Sequence, residues 1–259
     1  VLIQINNTLN LLINYLNKNN IMTKRVAILF FGLTRSLRNI YDNLKENLFN
    51  ELTKNDYIYD IFIHTYSLEN PYINHWSGES VSNYDNNAYE ILNPKYYIIE
   101  PQNNVERKLN INSYCLNLGN WKGCATTPKM KRYLVRNMVL ALHSKKMVTN
   151  LFKVHKNEYD YVIITRPDQL LHTKINTNSL SHLNDRNIII PYEHSYHGYN
   201  DRFCMAKPNV GIKYGSAFYV LKLYSQIGSV VSEVFMKDYL ISLGLKILFS
   251  PLKTQLIRC

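Results

Sequence analysis

Apolar positions along this chain come in two rhythms: short continuous runs, and longer stretches with helical spacing. The first run, Arg25–Phe31, reads Arg-Val-Ala-Ile-Leu-Phe-Phe and is closed by Gly32. A run of that length without polar alternation predicts a strand buried on both faces. Thr34 stands where an N-cap belongs, and Leu37, Ile40, Tyr41, Leu44, Leu48 and Leu52 recur behind it at helical spacing, predicting a helix through about Leu52. Tyr59–Thr65 predicts the second strand, so the chain opens as a βαβ unit with a right-handed crossover.

The pattern then loosens. Tyr66–Asn87 is polar, aromatic and turn-rich and reads as a loop over a site, followed by a short helix at Ala88–Leu92 and a strand at Tyr96–Glu100. Asn103–Pro128 has no period. Its Gly119, Gly123 and Thr126-Thr127-Pro128 mark loops, and an insert of that kind reads either as a lid or as disorder. Lys131–Lys156 is the longest predicted helix, with an apolar stripe of Leu134, Met138, Ala141, Leu142, Val148, Leu151 and Phe152 and with Lys145, Lys146 and Lys153 mostly off it. The run Val162–Thr165 follows and stops at Arg166-Pro167-Asp168, because Pro167 cannot donate to a ladder. Beyond it come a strand at Ile188–Pro191, a loop at Tyr192–Asn200 and a short strand or turn at Asp201–Lys207. Helices at Gly211–Ile227 and Ser232–Leu243, a strand at Lys246–Ser250 and a basic tail at Leu252–Arg258 complete the order.

This order predicts an α/β fold: one Rossmann-like domain with a mixed, mainly parallel sheet flanked by helices. Residues 1–21 alternate Leu and Ile with Asn, and Leu9, Leu12, Ile13 and Leu16 share a helical face. That stretch reads as an amphipathic leader, with Met22 as a functional start and the domain spanning 22–259. It lacks the basic region and small-residue cleavage site of a secretory signal. No apolar run approaches the roughly 20 residues that span a bilayer. The formal net charge of +11 suggests a polyanionic partner. Cys115, Cys124, Cys204 and Cys259 show no zinc-type spacing. A Cys115–Cys124 bridge is one reading; free thiols in a reducing compartment are the favoured one.

Three strand ends carry the candidate chemistry: Gly32-Leu33-Thr34-Arg35, His64-Thr65 and Arg166-Pro167-Asp168. A small residue before a helix N-terminus can hold a phosphate with backbone N–H groups, and Arg35 would add a positive charge one turn in. Neither a P-loop nor a Gly-x-Gly-x-x-Gly fingerprint is present. Arg166 and Asp168 read either as an ion pair closing a strand exit or as a site for a metal-bound phosphate.

With its βαβ start, long helix, Tyr-Asp-Tyr-Val-Ile-Ile-Thr-Arg-Pro-Asp at 159–168 and Gly198-Tyr199-Asn200-Asp201-Arg202-Phe203, the chain resembles nucleotide-sugar glycosyltransferases of the GT-A fold. The likeness is to their capsular and large-DNA-virus branch, in which Arg-x-Asp replaces Asp-x-Asp, and it covers roughly Lys24 to Arg258. The resemblance implies a UDP- or GDP-type sugar donor, a glycan acceptor, no nucleic acid, and a cytoplasmic location (the host's, if the source is viral). It implies Mn²⁺ or Mg²⁺ held by Asp168, with His194 or His197 as an added ligand or as solvated loop residues. Direct neutralisation of phosphate by Arg166 is the alternative to a metal. Gly32, Arg35, Thr65, Lys131, Arg132, Arg166 and Arg258 are the candidates for the diphosphate. Asp201 is the candidate base of an inverting transfer, with Asn200 beside the acceptor and Glu233 as a further acidic position. A catalytically inactive glycan-binding or scaffold protein, and a basic nucleic-acid-binding protein, are the competing readings.

Overall fold

Alternate residues of strand β1 (Arg25–Phe31) feed two separate cores, which is why the run needs no polar position. Ala27, Leu29 and Phe31 face the long helix, while Val26, Ile28 and Phe30 face the helical segment that follows β1. The computed structural model describes residues 23–69, 71–74, 78–121 and 125–258. The amphipathic leader and Met22 therefore lie outside the described residues, as do Gly123, Cys124 and Cys259.

Helix α1 (Leu37–Leu44) runs through a π-helical turn at Lys45–Phe49 into α2 (Asn50–Lys54), so the predicted helix carries one bulge. Thr34 does not cap it. The helix begins after Ser36, and the Thr34 backbone N–H and hydroxyl both meet Tyr84 Oη, at 3.0 and 3.2 Å. Strand β2 (Ile58–Ser67) follows, then a small hairpin of β3 (Tyr72–Asn74) and β4 (Glu79–Val81) inside the stretch expected to be loop. After β5 (Tyr96–Pro101), part of the aperiodic insert is helical as α3 (Gln102–Leu109).

The long helix, α4 (Pro128–Lys153), starts earlier than its apolar stripe. Thr127 Oγ1 accepts from Met130 N at 3.2 Å and Pro128 fills the first turn, so Thr-Pro is a helix start here. Strands β6 (Tyr161–Thr165), β7 (Gln169–Leu171), β8 (Asn187–Pro191) and β9 (Phe203–Ala206) come next. Helices α5 (Pro208–Gly215), α6 (Phe218–Ile227) and α7 (Ser232–Ser242) lead to β10 (Lys246–Ser250) and β11 (Thr254–Leu256).

The central sheet has seven strands in the order β10-β8-β9-β6-β1-β2-β5. Only β9 runs against the rest: it pairs antiparallel with both β6 and β8, whereas every other neighbouring pair is parallel. Two consequences place the site. The C-terminal ends of β1, β2, β5 and β6 share one edge, where open α/β sheets bind ligands. Antiparallel register also puts Phe203, the first residue of β9, opposite Thr165, the last of β6. Asp201 therefore arrives at that same edge. Among the described residues, no helix is long and apolar enough to cross a membrane.

Candidate functional site

Gly32 ends β1 with φ +102°, a left-handed backbone that disfavours any side chain. The turn it makes does not offer its N–H outward, because Gly32 N donates to Ser144 Oγ on α4 at 2.7 Å. Positive charge at this edge comes from side chains instead. Arg35 and Arg166 both grip Asp168: Arg35 Nη2 lies 2.9 Å from Oδ2, and Arg166 makes a fork to Oδ1 and Oδ2 at 2.8 and 2.7 Å. Arg35 also reaches Glu79 of β4 at 2.6 Å. Burial alone would depress the Arg35 guanidinium, but the charges of Asp168 and Glu79 outweigh it and raise the group above its ordinary value.

The tail completes the arrangement. Strand β11 pairs antiparallel with β7, Ile257 N donates to Asp168 O at 2.9 Å, and Ser36 Oγ donates to Ile257 O at 2.8 Å. These bonds deliver Arg258 to a pocket also lined by Gly32, Arg35, Arg136, Arg166 and Tyr66. The Arg258 guanidinium is depressed from its ordinary value, first by burial and then by the neighbouring Arg35 charge. Among the described residues, Arg35, Arg166 and Arg258 gather there around Glu79 and Asp168, with Arg136 and its partner Glu106 beside them, a local excess of positive charge.

Asp168 has other work than holding the metal the sequence motif implied. The residue is fully buried, and both of its oxygens are occupied by guanidinium donors. Burial would raise its carboxyl, yet Arg166 and Arg35 bring it down to about 2. A divalent ion at this carboxylate would have to displace two cations, so the residues here do not fit Mn²⁺ or Mg²⁺.

The other sequence-derived residues divide. Thr65 is buried at the same edge, and its hydroxyl has no hydrogen-bond partner among the described residues. Lys131 and Arg132 point to the insert instead of the pocket, donating to Gly119 O at 2.9 Å and to Asn112 Oδ1 at 3.3 Å. Arg136, one turn further along α4 and paired with Glu106, lines the pocket. His194 lies between Tyr196 Oη and Thr254 O, at 3.1 and 2.8 Å, and His197 is exposed with φ +70°.

Asn200 is buried and builds the turn before β9. Its Oδ1 accepts from Arg202 N and Phe203 N at 2.8 and 3.2 Å, and its Nδ2 donates to Glu193 O at 2.8 Å. Asp201 is thereby held beside Arg202 and Glu233. Arg202 lies 3.7 Å from Asp201 Oδ1 and 3.9 Å from Glu233 Oε1. Burial, reinforced by the Asp201 charge, pushes the Glu233 carboxyl well up from the usual carboxylate range.

Lys145, expected off the apolar stripe, is 1% exposed. Its Nζ donates to Asp201 O at 2.6 Å and lies over the rings of Tyr214 and Phe31, at 4.3 and 4.7 Å. Burial lowers it to about 8. Loop and helix are in backbone contact as well: a Cβ on Gly198 would come 1.9 Å from Glu233 O. Gly198→Ala should therefore cost about 1–3 kcal/mol by forcing the loop off the start of α7, read as a lower urea midpoint. An unchanged midpoint would show that the two segments separate without cost.

This is a mixed α/β protein with a cluster of arginines at the strand ends. No family model matches the chain. No curated protein matches it either. The solved apo structure of mouse xyloside xylosyltransferase 1 is similar to 88% of this chain over 84% of its own length, with a TM-score of 0.39 and 11% identity.

Proposed function

We propose that this chain is a glycosyltransferase that moves a sugar from a UDP- or GDP-type donor to a glycan hydroxyl with inversion. One observation carries the reading: Arg35, Arg166 and Arg258 converge on one pocket at the C-terminal edge of a mainly parallel sheet. The seven-stranded, mainly parallel sheet agrees with the GT-A-like architecture that the sequence motifs imply. Asp168 holds Arg166 in place beside Arg258, and these guanidiniums are proposed to meet the diphosphate without reorganising, with the Arg35 charge behind them. The bond from the anomeric carbon to the diphosphate oxygen breaks, and the guanidiniums take up the charge left on that oxygen. The acceptor oxygen bonds to the anomeric carbon, and its proton passes to Asp201. No step requires a metal at Asp168. We place the activity in the cytoplasm, where the buried thiols Cys115 and Cys204 would stay reduced.

The test is a panel of nucleotide sugars with glycan acceptors, read by mass detection of released nucleotide and transferred sugar. Turnover of one UDP- or GDP-sugar is the expected result; no turnover of any donor, with no binding of UDP or GDP, would end the proposal. Arg258→Ala should weaken nucleoside-diphosphate binding roughly ten- to a hundredfold, the loss of one charge-assisted contact, measured by calorimetry. The side chain is exposed and makes no ion pair among the described residues, so the fold should not change.

A further inference from the structure

Beneath the arginine pocket, three side chains from three elements turn acceptor atoms to one point. His64 comes from β2, Glu100 from β5 and His143 from α4. His64 Nε2 lies 3.0 Å from Glu100 Oε2, His143 Nδ1 lies 4.0 Å from the same oxygen, and the donor atoms all fall within 4.8 Å of one another. We propose that His64, Glu100 and His143 bind one zinc-class divalent ion, at a site distinct from the diphosphate pocket.

One proton arrangement around the cluster leaves its nitrogens open to an ion. Ser144 Oγ accepts from Gly32 N at 2.7 Å and lies 3.0 Å from His64 O and 2.7 Å from His64 Nδ1. The hydroxyl has one proton. Given to the His64 carbonyl, it leaves Oγ to accept from Nδ1–H, the usual outer support of a metal-binding imidazole. His64 Nε2 then carries a lone pair aimed at a carboxylate oxygen. On the other side, Tyr66 Oη donates to Leu140 O at 2.8 Å and lies 3.0 Å from His143 Nδ1, whose proton it accepts when that nitrogen is protonated. One proton satisfies each of these contacts separately, and one divalent ion would satisfy His64, Glu100 and His143 together.

The donor set selects the cation. Two imidazole nitrogens and one carboxylate suit Zn²⁺ and its neighbours, whereas Mg²⁺, Ca²⁺ and Mn²⁺ favour oxygen. Zn–N and Zn–O bonds of roughly 2.0–2.2 Å set tetrahedral ligand atoms about 3.3 Å apart, so His64 and Glu100 are close to that spacing and His143 would close in on them by up to about 1.5 Å. His64 and His143 are buried, while the Glu100 side chain is 27% exposed, which leaves a path for the ion and room for water as a further ligand. A bound ion would tie β2, β5 and α4 together under Tyr66, which lines the arginine pocket.

The full chain, stripped of metal, would be dialysed with ZnCl₂ in excess MgCl₂, and zinc counted by mass spectrometry. A parallel sample would take Co²⁺ and be read by visible absorption. Expected are about one zinc per chain, an intense low-coordinate cobalt band, and at least tenfold weaker zinc binding in both His143→Gln and Glu100→Gln. Arg258→Ala should keep its zinc, which separates this site from nucleotide binding. Absence of zinc and of the cobalt band from the wild-type chain would overturn the proposal and leave a proton-linked His–Glu–His network. Wild-type zinc affinity in both His143→Gln and Glu100→Gln would overturn it equally.

Discussion

Asp168→Asn should destabilise the protein by about 3–5 kcal/mol, because it strands two buried guanidiniums beside a neutral amide. The side chains concerned are 0% exposed for Asp168, 6% for Arg35 and 15% for Arg166, so water does little to offset the loss. Acid should produce part of the same effect in the wild type. The folded carboxyl sits at about 2, below its ordinary 3.8. Its contribution is therefore fully present above about pH 4 and is lost as pH falls towards 2, worth about 2 kcal/mol by linkage. Urea midpoints of both proteins between pH 5 and pH 2 provide the measurement. The wild type should lose stability more steeply than Asp168→Asn over that window, the two curves converging in acid. The result also separates the two readings of the Arg-x-Asp motif. A metal ligand replaced by Asn would forfeit metal affinity with little loss of stability; a clamp for two arginines does the reverse.

The main-chain architecture was readable because it rests on local pattern. A continuous apolar run such as Arg25–Phe31 has one stable destination, the middle of a sheet with both faces covered. Where local pattern was overridden, a longer-range partner was responsible. The tail reads as a basic coil, but Thr254–Leu256 forms a strand because β7 supplies an antiparallel edge some eighty residues earlier in the chain. The stretch after β2 reads as a loop, yet it contains a hairpin whose Glu79 meets Arg35.

The site was legible at its strand ends and opaque in its pairing. Arg35, Arg166 and Asp168 stand out as charges placed after core strands, but nothing in their spacing says that Arg35 will share a carboxylate 133 positions away. The gain from such a contact depends on the closed geometry, which only the assembled sheet supplies. Lys145 is different, because a signal was there. It falls on the same helical face as Met138, Leu142, Thr149 and Phe152, all of them buried. A lysine on a buried face must find an acceptor and an aromatic shelter, and Lys145 finds Asp201 O, Tyr214 and Phe31.

Asp201→Asn should lower the rate of transfer roughly 10²–10⁴-fold while leaving nucleoside-diphosphate affinity within a few-fold of wild type, the signature of a lost base. The residue qualifies on three counts. Register between β9 and β6 sets it two residues from the position opposite Thr165, at the edge that carries Arg166. Its Oδ1 accepts no hydrogen bond among the described residues, and the side chain as a whole is 18% exposed, so part of the carboxylate faces solvent. Glu233 beside it is pushed up from the usual carboxylate range by burial and by Asp201, which favours its protonated form. Glu233→Gln copies that protonated state in an uncharged side chain and should retain activity within about tenfold. The two variants thus have opposite expectations from adjacent carboxylates, measured as kcat and Kd on proteins shown to be folded by circular dichroism. Loss of turnover in Glu233→Gln with activity kept in Asp201→Asn would exchange the two roles.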